Sequence, residues 1–151
     1  AVSQRKVIGV DIDIRPHNRA MIEAHPMASR IEMIQGSSIS SATIAAVKDA
    51  AKGYERVLVC LDSMHTDDHV YAELEAYAPL VSVGSYCVVF DTLIEDMPEN
   101  FYPDRPWDIG NNAKTAVRRW LKEQSGFEVD TTIEQKLMIT VAPDGFLHRI
   151  R

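Results

Sequence analysis

Three aspartates each stand at the end of an apolar, β-branched run. They are Asp11, Asp62 and Asp91, and the last two follow the runs 57–61 and 86–90. Ligands of open parallel α/β sheets bind just outside the carboxyl ends of the strands. We therefore expect these carboxylates to meet at one sheet edge, where they can contact a cofactor or a metal ion.

The first aspartate and the turn after the second predicted strand suit an adenosine cofactor. Asp11 can accept hydrogen bonds from both ribose hydroxyls, or it can cap the next helix, for which Asp13 is the better candidate. Gly36-Ser37-Ser38 is either a plain strand-to-helix turn or a border for an adenine ring with Ser38 bonded to it.

The other two aspartates suit a metal ion. Asp62 and Asp91 can together hold Mg²⁺, which takes oxygen ligands and keeps several waters, or each can cap a helix. His65 lies one turn beyond Asp62, where a neutral imidazole can take a proton from a substrate hydroxyl. His65 and His69 also have the spacing of a zinc pair, but no third ligand follows, so we expect His69 at a surface position.

A proline-rich segment, residues 93–111, is predicted to be a long functional loop. Tyr102 and Trp107 within it can line an acceptor pocket, anchor the loop in the core, or do both.

Alternating strands and helices position these side chains. We predict an α/β fold, a doubly wound, mostly parallel sheet with an antiparallel C-terminal hairpin. The predicted strands are 7–12, 31–35, 57–61, 86–90, 127–129, 137–141 and 146–150, and the predicted helices are 17–25, 41–51, 66–79 and 112–124.

Composition limits the function classes. The chain has 151 residues, 46% of them hydrophobic, and a net charge of −6, so no nucleic-acid footprint is expected. No apolar run reaches the roughly 20 residues that span a bilayer, and no signal-peptide core is present, so the cytoplasm is the expected location. Cys60 and Cys87 are predicted to be buried core residues.

Several motifs together resemble the cephalosporin hydroxylase family, also called rhamnosyl O-methyltransferases. They are Val-Ile-Gly-Val-Asp-Ile-Asp-Ile-Arg-Pro-His-Asn (7–18), Leu-Asp-Ser-Met-His-Thr (61–66), Asp-Asp-His-Val (67–70), Leu-Glu-Ala-Tyr-Ala-Pro-Leu-Val (74–81) and Lys-Leu-Met-Ile-Thr-Val-Ala-Pro-Asp-Gly (136–145). The resemblance covers nearly the whole chain. It implies the class I S-adenosylmethionine-dependent methyltransferase fold.

The resemblance also implies roles for single residues. S-adenosylmethionine would be bound by Asp11 at the ribose and by Ser38 near the adenine, with Asp62 and Ser63 as further cofactor contacts. Asp62 and Asp91 would be ligands of Mg²⁺. His65 would be the catalytic base. The partners implied are a small-molecule acceptor, a sugar or a secondary metabolite, and further copies of the chain in a homo-oligomer.

The chain departs from the family pattern at two places. Phe90 stands where the family has a glutamate, so one carboxylate ligand is missing unless Glu95 or Asp96 replaces it. No strand and glycine-rich turn precede Val7 to hold the methionine end of the cofactor. We therefore expect residues 1–151 to be a single methyltransferase-like domain, N-terminally incomplete, whose sheet lacks its central strand.

Other functions stay open beside O-methyl transfer. A component of antibiotic hydroxylation or methoxylation fits the family, although the 2-His-1-carboxylate pattern of an iron oxygenase is missing. Asp11-x-Asp13 also suits a haloacid-dehalogenase-like phosphatase. Asp62 could be the phosphorylated residue of a receiver domain, although no lysine is well placed. Phe90 is compatible with a degenerate, non-catalytic homologue.

Overall fold

A computed structural model describes residues 5–151. The chain divides into two compact units between Lys52 and Gly53, called unit 1 and unit 2 below. Over the described residues, no helix is both long and apolar enough to cross a membrane.

Unit 1 is built around two parallel strands. They pair in register from Val7 opposite Ile31 to Asp11 opposite Gln35. Its elements are β1 (Val7–Asp11), α1 (Pro16–Glu23), a 3-10 turn (Ala28–Arg30), β2 (Ile31–Gln35) and α2 (Ser41–Ala50). Ser40 caps α2, because its side chain accepts the Thr43 N–H.

Unit 2 contains a mixed four-stranded sheet in the order β3-β4-β6-β5. β3 and β4 are parallel, whereas β6 is antiparallel to both of its neighbours. Its elements are β3 (Val59–Leu61), α3 (Asp67–Tyr77), a 3-10 turn (Ala78–Leu80), β4 (Tyr86–Val89), a 3-10 turn (Thr92–Asp96), α4 (Ala113–Leu121), β5 (Phe127–Val129), α5 (Thr131–Leu137) and β6 (Phe146–Arg149).

The core of unit 2 lies where α3 and α4 pack on each other and on the sheet. Its largest fully buried side chains are Trp120, Leu74, Leu147, Val81 and Val89. The Trp120 indole N–H donates to Glu75 Oε1 at 2.6 Å, so its polar atom is satisfied. Asn112 begins α4 with a capping box that Thr115 completes.

The predicted α/β class, with parallel strands and an antiparallel finish, is confirmed, but the predicted strand 137–141 is wrong. Asp130 accepts the Thr132 N–H and starts a helix, α5, in its place. The apolar residues that follow have no strand to pair with, and Met138 and Ile139 are 87% and 91% exposed.

The third strand is shorter than predicted, and one of its residues faces outward. Val57 exchanges hydrogen bonds with Ser82 through its backbone, so the strand begins only at Val59. Because Leu61 is buried and successive side chains alternate, its neighbour Cys60 faces the other side and is exposed, contrary to prediction. Cys87 is buried, as predicted.

A buried lysine ties the 3-10 turn after β4 to α4. Lys114 is 3% exposed, and its Nζ lies 2.6 Å from Asp96 Oδ2 and 3.3 Å from Asp144 Oδ2. The Thr92 hydroxyl donates to the Pro143 carbonyl at 2.6 Å. The segment behind β4 is thus fixed from two sides.

Gly145 is where the backbone approaches β4 most closely. Its carbonyl accepts the Val89 N–H at 2.8 Å, and a Cβ at Gly145 would collide with the Val89 carbonyl oxygen. We predict that Gly145→Ala lowers the free energy of unfolding by about 3 kcal/mol, measured by urea denaturation. Gly9→Ala is the control, because a Cβ there lies 4.0 Å from its nearest neighbour. Equal stability of the two variants would contradict this packing.

Tyr77 is 5% exposed at the end of α3. Burial, and then the nearby Glu73 carboxylate, raise the pKa of Tyr77 from its ordinary 10 to about 12. The unfolded chain therefore loses this proton first, so the stabilisation is complete below pH 10 and falls as pH rises toward 12. We predict that between pH 10 and pH 12 the midpoint of unfolding falls less steeply with rising pH for Tyr77→Phe than for the wild type. A Tyr54→Phe control should follow the wild type, and parallel curves for all three proteins would refute the assignment.

Candidate active site at the ends of β3 and β4

The parallel pairing of β3 and β4 brings two of the predicted aspartates to one edge. Leu61 lies opposite Val89, and the Phe90 N–H donates to the Leu61 carbonyl at 2.9 Å. Asp62 and Asp91 are the next residues on the two strands. Their juxtaposition follows from the register alone.

Asp91 has an unusual backbone conformation. Its φ is 55°, in the left-handed region, and its carbonyl accepts the Ile94 N–H as the 3-10 turn begins. Aspartate tolerates this region better than most residues, and such conformations often occur at functional sites. The sharp turn ends β4 and starts the 3-10 segment directly at this carboxylate.

His65 lies beside both carboxylates. Its Nε2 is 3.0 Å from Asp91 Oδ2. One potential ligand atom from each of Asp62, His65 and Asp91 lies within 4.8 Å of the other two. The His65 ring meets Trp107 edge-on, with ring centres 4.8 Å apart, so the imidazole is held from two directions.

An open pocket of about 370 Å³ lies over this group. Its walls are Ser63, His65, Asp91, Tyr102, Arg105 and Trp107. Tyr102 and Trp107 line the pocket, as predicted. Arg105 was missed, because a single arginine in a proline-rich loop carries no spacing signal that would point to a site.

A buried carboxylate supports the pocket from behind. The Ser63 hydroxyl donates to Glu73 Oε1 at 2.7 Å, and Glu73 is 2% exposed. His69 Nε2 lies 3.5 Å from the same oxygen, so His69 is half-buried against Glu73 and not at the surface as predicted. Because its proton points to Glu73, Ser63 presents only lone pairs to the pocket.

Glu95 and Asp96, the two acids that could stand in for the glutamate expected at position 90, are bonded to other residues. Glu95 Oε2 accepts from Asn112 Nδ2 at 2.5 Å and from the Gly110 N–H at 2.8 Å. Asp96 pairs with Lys114 at 2.6 Å. Both carboxylates brace the loop and α4, and neither belongs to the group of potential metal ligands among the described residues.

The other predicted cofactor residues belong to unit 1. Asp11 Oδ1 accepts the Asp13 N–H at 2.8 Å, and the Asp11 carbonyl accepts the Gly36 N–H at 2.9 Å. Asp13 does not cap α1, because Arg15 occupies the N-cap without a side-chain hydrogen bond. Ser38 follows β2 in the turn that begins at Gly36. The ribose contact of Asp11 and the adenine contact of Ser38 stay predictions.

Solved structures support the fold class. The mycinamycin-pathway methyltransferase MycE, in complex with Mg, S-adenosylhomocysteine (SAH) and mycinamycin VI, is similar with a TM-score of 0.55 and 19% identity, over 97% of this chain and 37% of that one. A second crystal of MycE, with Mg and SAH, matches at a TM-score of 0.53 and 17% identity, over 97% of this chain and 38% of that one. At such identities the likeness concerns the fold.

Sequence comparison is more specific. Two rhamnosyl O-methyltransferases are similar to this chain. The protein from Mycobacterium bovis (strain BCG / Pasteur 1173P2) is 31% identical over 77% of this chain and 46% of its own length. The protein from Mycobacterium leprae (strain TN) is 30% identical over 95% of this chain and 59% of its own length. The chain spans about half the length of these relatives. The model of the family described as "Rhamnosyl O-methyltransferase/CmcI" matches residues 1–150. The chain belongs to the rhamnosyl O-methyltransferase/CmcI family.

Proposed function

We propose that the protein transfers a methyl group from S-adenosylmethionine to a hydroxyl group of a sugar or secondary metabolite. The observation that carries the proposal is the convergence of Asp62, His65 and Asp91 beside the pocket, in a chain of this family. The names of the relatives favour a rhamnosyl acceptor. S-adenosylmethionine would supply an electrophilic methyl carbon, so the work left to the chain is to position and deprotonate the acceptor.

The residues present fit a divalent metal ion. Two carboxylates and an imidazole offer ligand atoms within 4.8 Å of one another, and carboxylate oxygens are the donors that Mg²⁺ prefers. Asp62 and Asp91 would hold the ion, which would lower the pKa of the acceptor hydroxyl. Phe90 contributes no ligand, so the site has one carboxylate fewer than the family pattern.

We assign His65 as the general base. Its Nε2 lies 3.0 Å from Asp91 Oδ2. When the imidazole takes the proton of the acceptor hydroxyl, the Asp91 carboxylate at this distance stabilises the resulting imidazolium.

The remaining pocket residues suit a small polar acceptor with an apolar face. Tyr102 and Trp107 offer aromatic surface for a sugar ring, and the Ser63 oxygen can accept a hydrogen bond from a ligand hydroxyl or N–H. We propose that Ser63 also contacts the cofactor, as its position directly after Asp62 suggests.

The test is methyl transfer from isotopically labelled S-adenosylmethionine to rhamnosides, followed by mass spectrometry, with His65→Gln as the key variant. A glutamine amide can still donate to Asp91 but cannot take a proton. We predict that kcat falls about 100-fold or more while KM changes little.

His17→Gln is the matched control, because this exposed histidine lies in unit 1. It should retain the wild-type rate. If calorimetry finds no binding of SAH to the full chain, and no acceptor is methylated, the proposed function is wrong. If His65→Gln is as fast as the wild type, the function stands and the assignment of the base fails.

A further inference from the structure

We infer that Arg105 selects an acceptor that carries a carboxylate in addition to the hydroxyl group that is methylated. The inference rests on the proposed function and adds the charge of the acceptor to it. Arg105 lines the pocket together with His65 and Asp91, and its guanidinium is the cationic group among the lining residues.

Arg105 has no anionic partner in the described part of the chain. Its guanidinium carbon lies 5.3 Å from the ring centre of Trp107, and no side chain of residues 5–151 accepts a hydrogen bond from it. Its backbone N–H donates to the Tyr102 carbonyl at 3.0 Å, which places it in a turn between the two aromatic residues. Five donors are thus left at the pocket wall.

Two other arginines of unit 2, Arg118 and Arg119, have carboxylate partners. Arg118 lies 3.6 Å from Glu95, and Arg119 lies 2.8 Å from Asp67 and 3.2 Å from Asp68. Arg105 differs from these two arginines because it lines a pocket and its guanidinium has no carboxylate partner among residues 5–151. The Arg105 guanidinium lies over the Trp107 ring, and this contact restricts its freedom before it binds a planar anion.

The charges around the pocket also orient such an acceptor. Asp62 and Asp91 lie at the strand ends and repel a carboxylate unless a cation is bound there. With the proposed divalent cation bound, the charges of the two aspartates are balanced. In both states Arg105 is the uncompensated cation among the lining residues, so a carboxylate is drawn toward it. Arginine and carboxylate form two parallel N–H···O bonds, which fixes direction as well as affinity.

The experiment compares binding of p-nitrophenyl β-D-glucuronide with that of p-nitrophenyl β-D-glucoside, which differ at the carboxylate. Both are titrated into the full chain by ligand-observed NMR, with and without Mg²⁺. We expect the glucuronide to bind about tenfold more tightly. In Arg105→Met, which keeps an apolar side chain on Trp107, the preference should disappear while glucoside binding is retained.

Arg56→Met is the matched control, because it removes the same charge from an exposed position of unit 2. It should keep the preference. Equal binding of the two glycosides, no binding of the glucuronide, or a preference that survives in Arg105→Met overturns the inference. Because binding is measured without turnover, charge-selective binding together with no binding of SAH and no methylation would refute the proposed function and leave the binding of a carboxylate by Arg105 standing.

Discussion

The site depends on the parallel register of β3 and β4. Leu61 lies opposite Val89, so the residues that follow these strands emerge at the same edge. The backbone of Gly145 lies against Val89 and holds β4 from its other side, where a side chain at Gly145 would not fit. A shift of one residue in this register would turn every side chain of the strand to the opposite face. It would separate the two carboxylates and leave His65 without its partner.

A network of polar side chains supports the end of β4. These side chains bond to one another and to the loop, and they do more than cap single helices. Lys114 is buried between Asp96 and Asp144, and Glu95 bonds Asn112 and Gly110. These bonds fix the turn in which Asp91 adopts its left-handed conformation. Glu95 and Asp96 thus support the segment behind β4, whereas Asp62, His65 and Asp91 lie together at the ends of β3 and β4. In the segment after β4, Asp91 thus lies at the pocket, while Glu95 and Asp96 hold the segment in place.

Most of the fold and part of the site could be predicted from the sequence. Periodicity located β1, β2, β4 and most helices, because apolar runs and caps such as Ser40 and Asn112 act locally. It failed at 137–141, where an apolar run suggested a strand although Asp130 had already started α5. The pairing of His65 with Asp91, the burial of Glu73 and the place of Arg105 in the pocket depend on contacts between distant segments. Local sequence patterns do not indicate contacts between distant segments.

The most direct test of the central claim is whether a divalent cation binds beside Asp62, His65 and Asp91. The chain has two tryptophans, so a ¹⁵N-labelled sample gives two indole signals. Trp107 contacts His65, whereas Trp120 is 2% exposed in the core. In a titration with Mn²⁺, the Trp107 signal should broaden at lower Mn²⁺ than the Trp120 signal, and Asp62→Asn should remove this difference while Asp104→Asn keeps it. Uniform broadening, or none, would contradict a metal site at the ends of these strands.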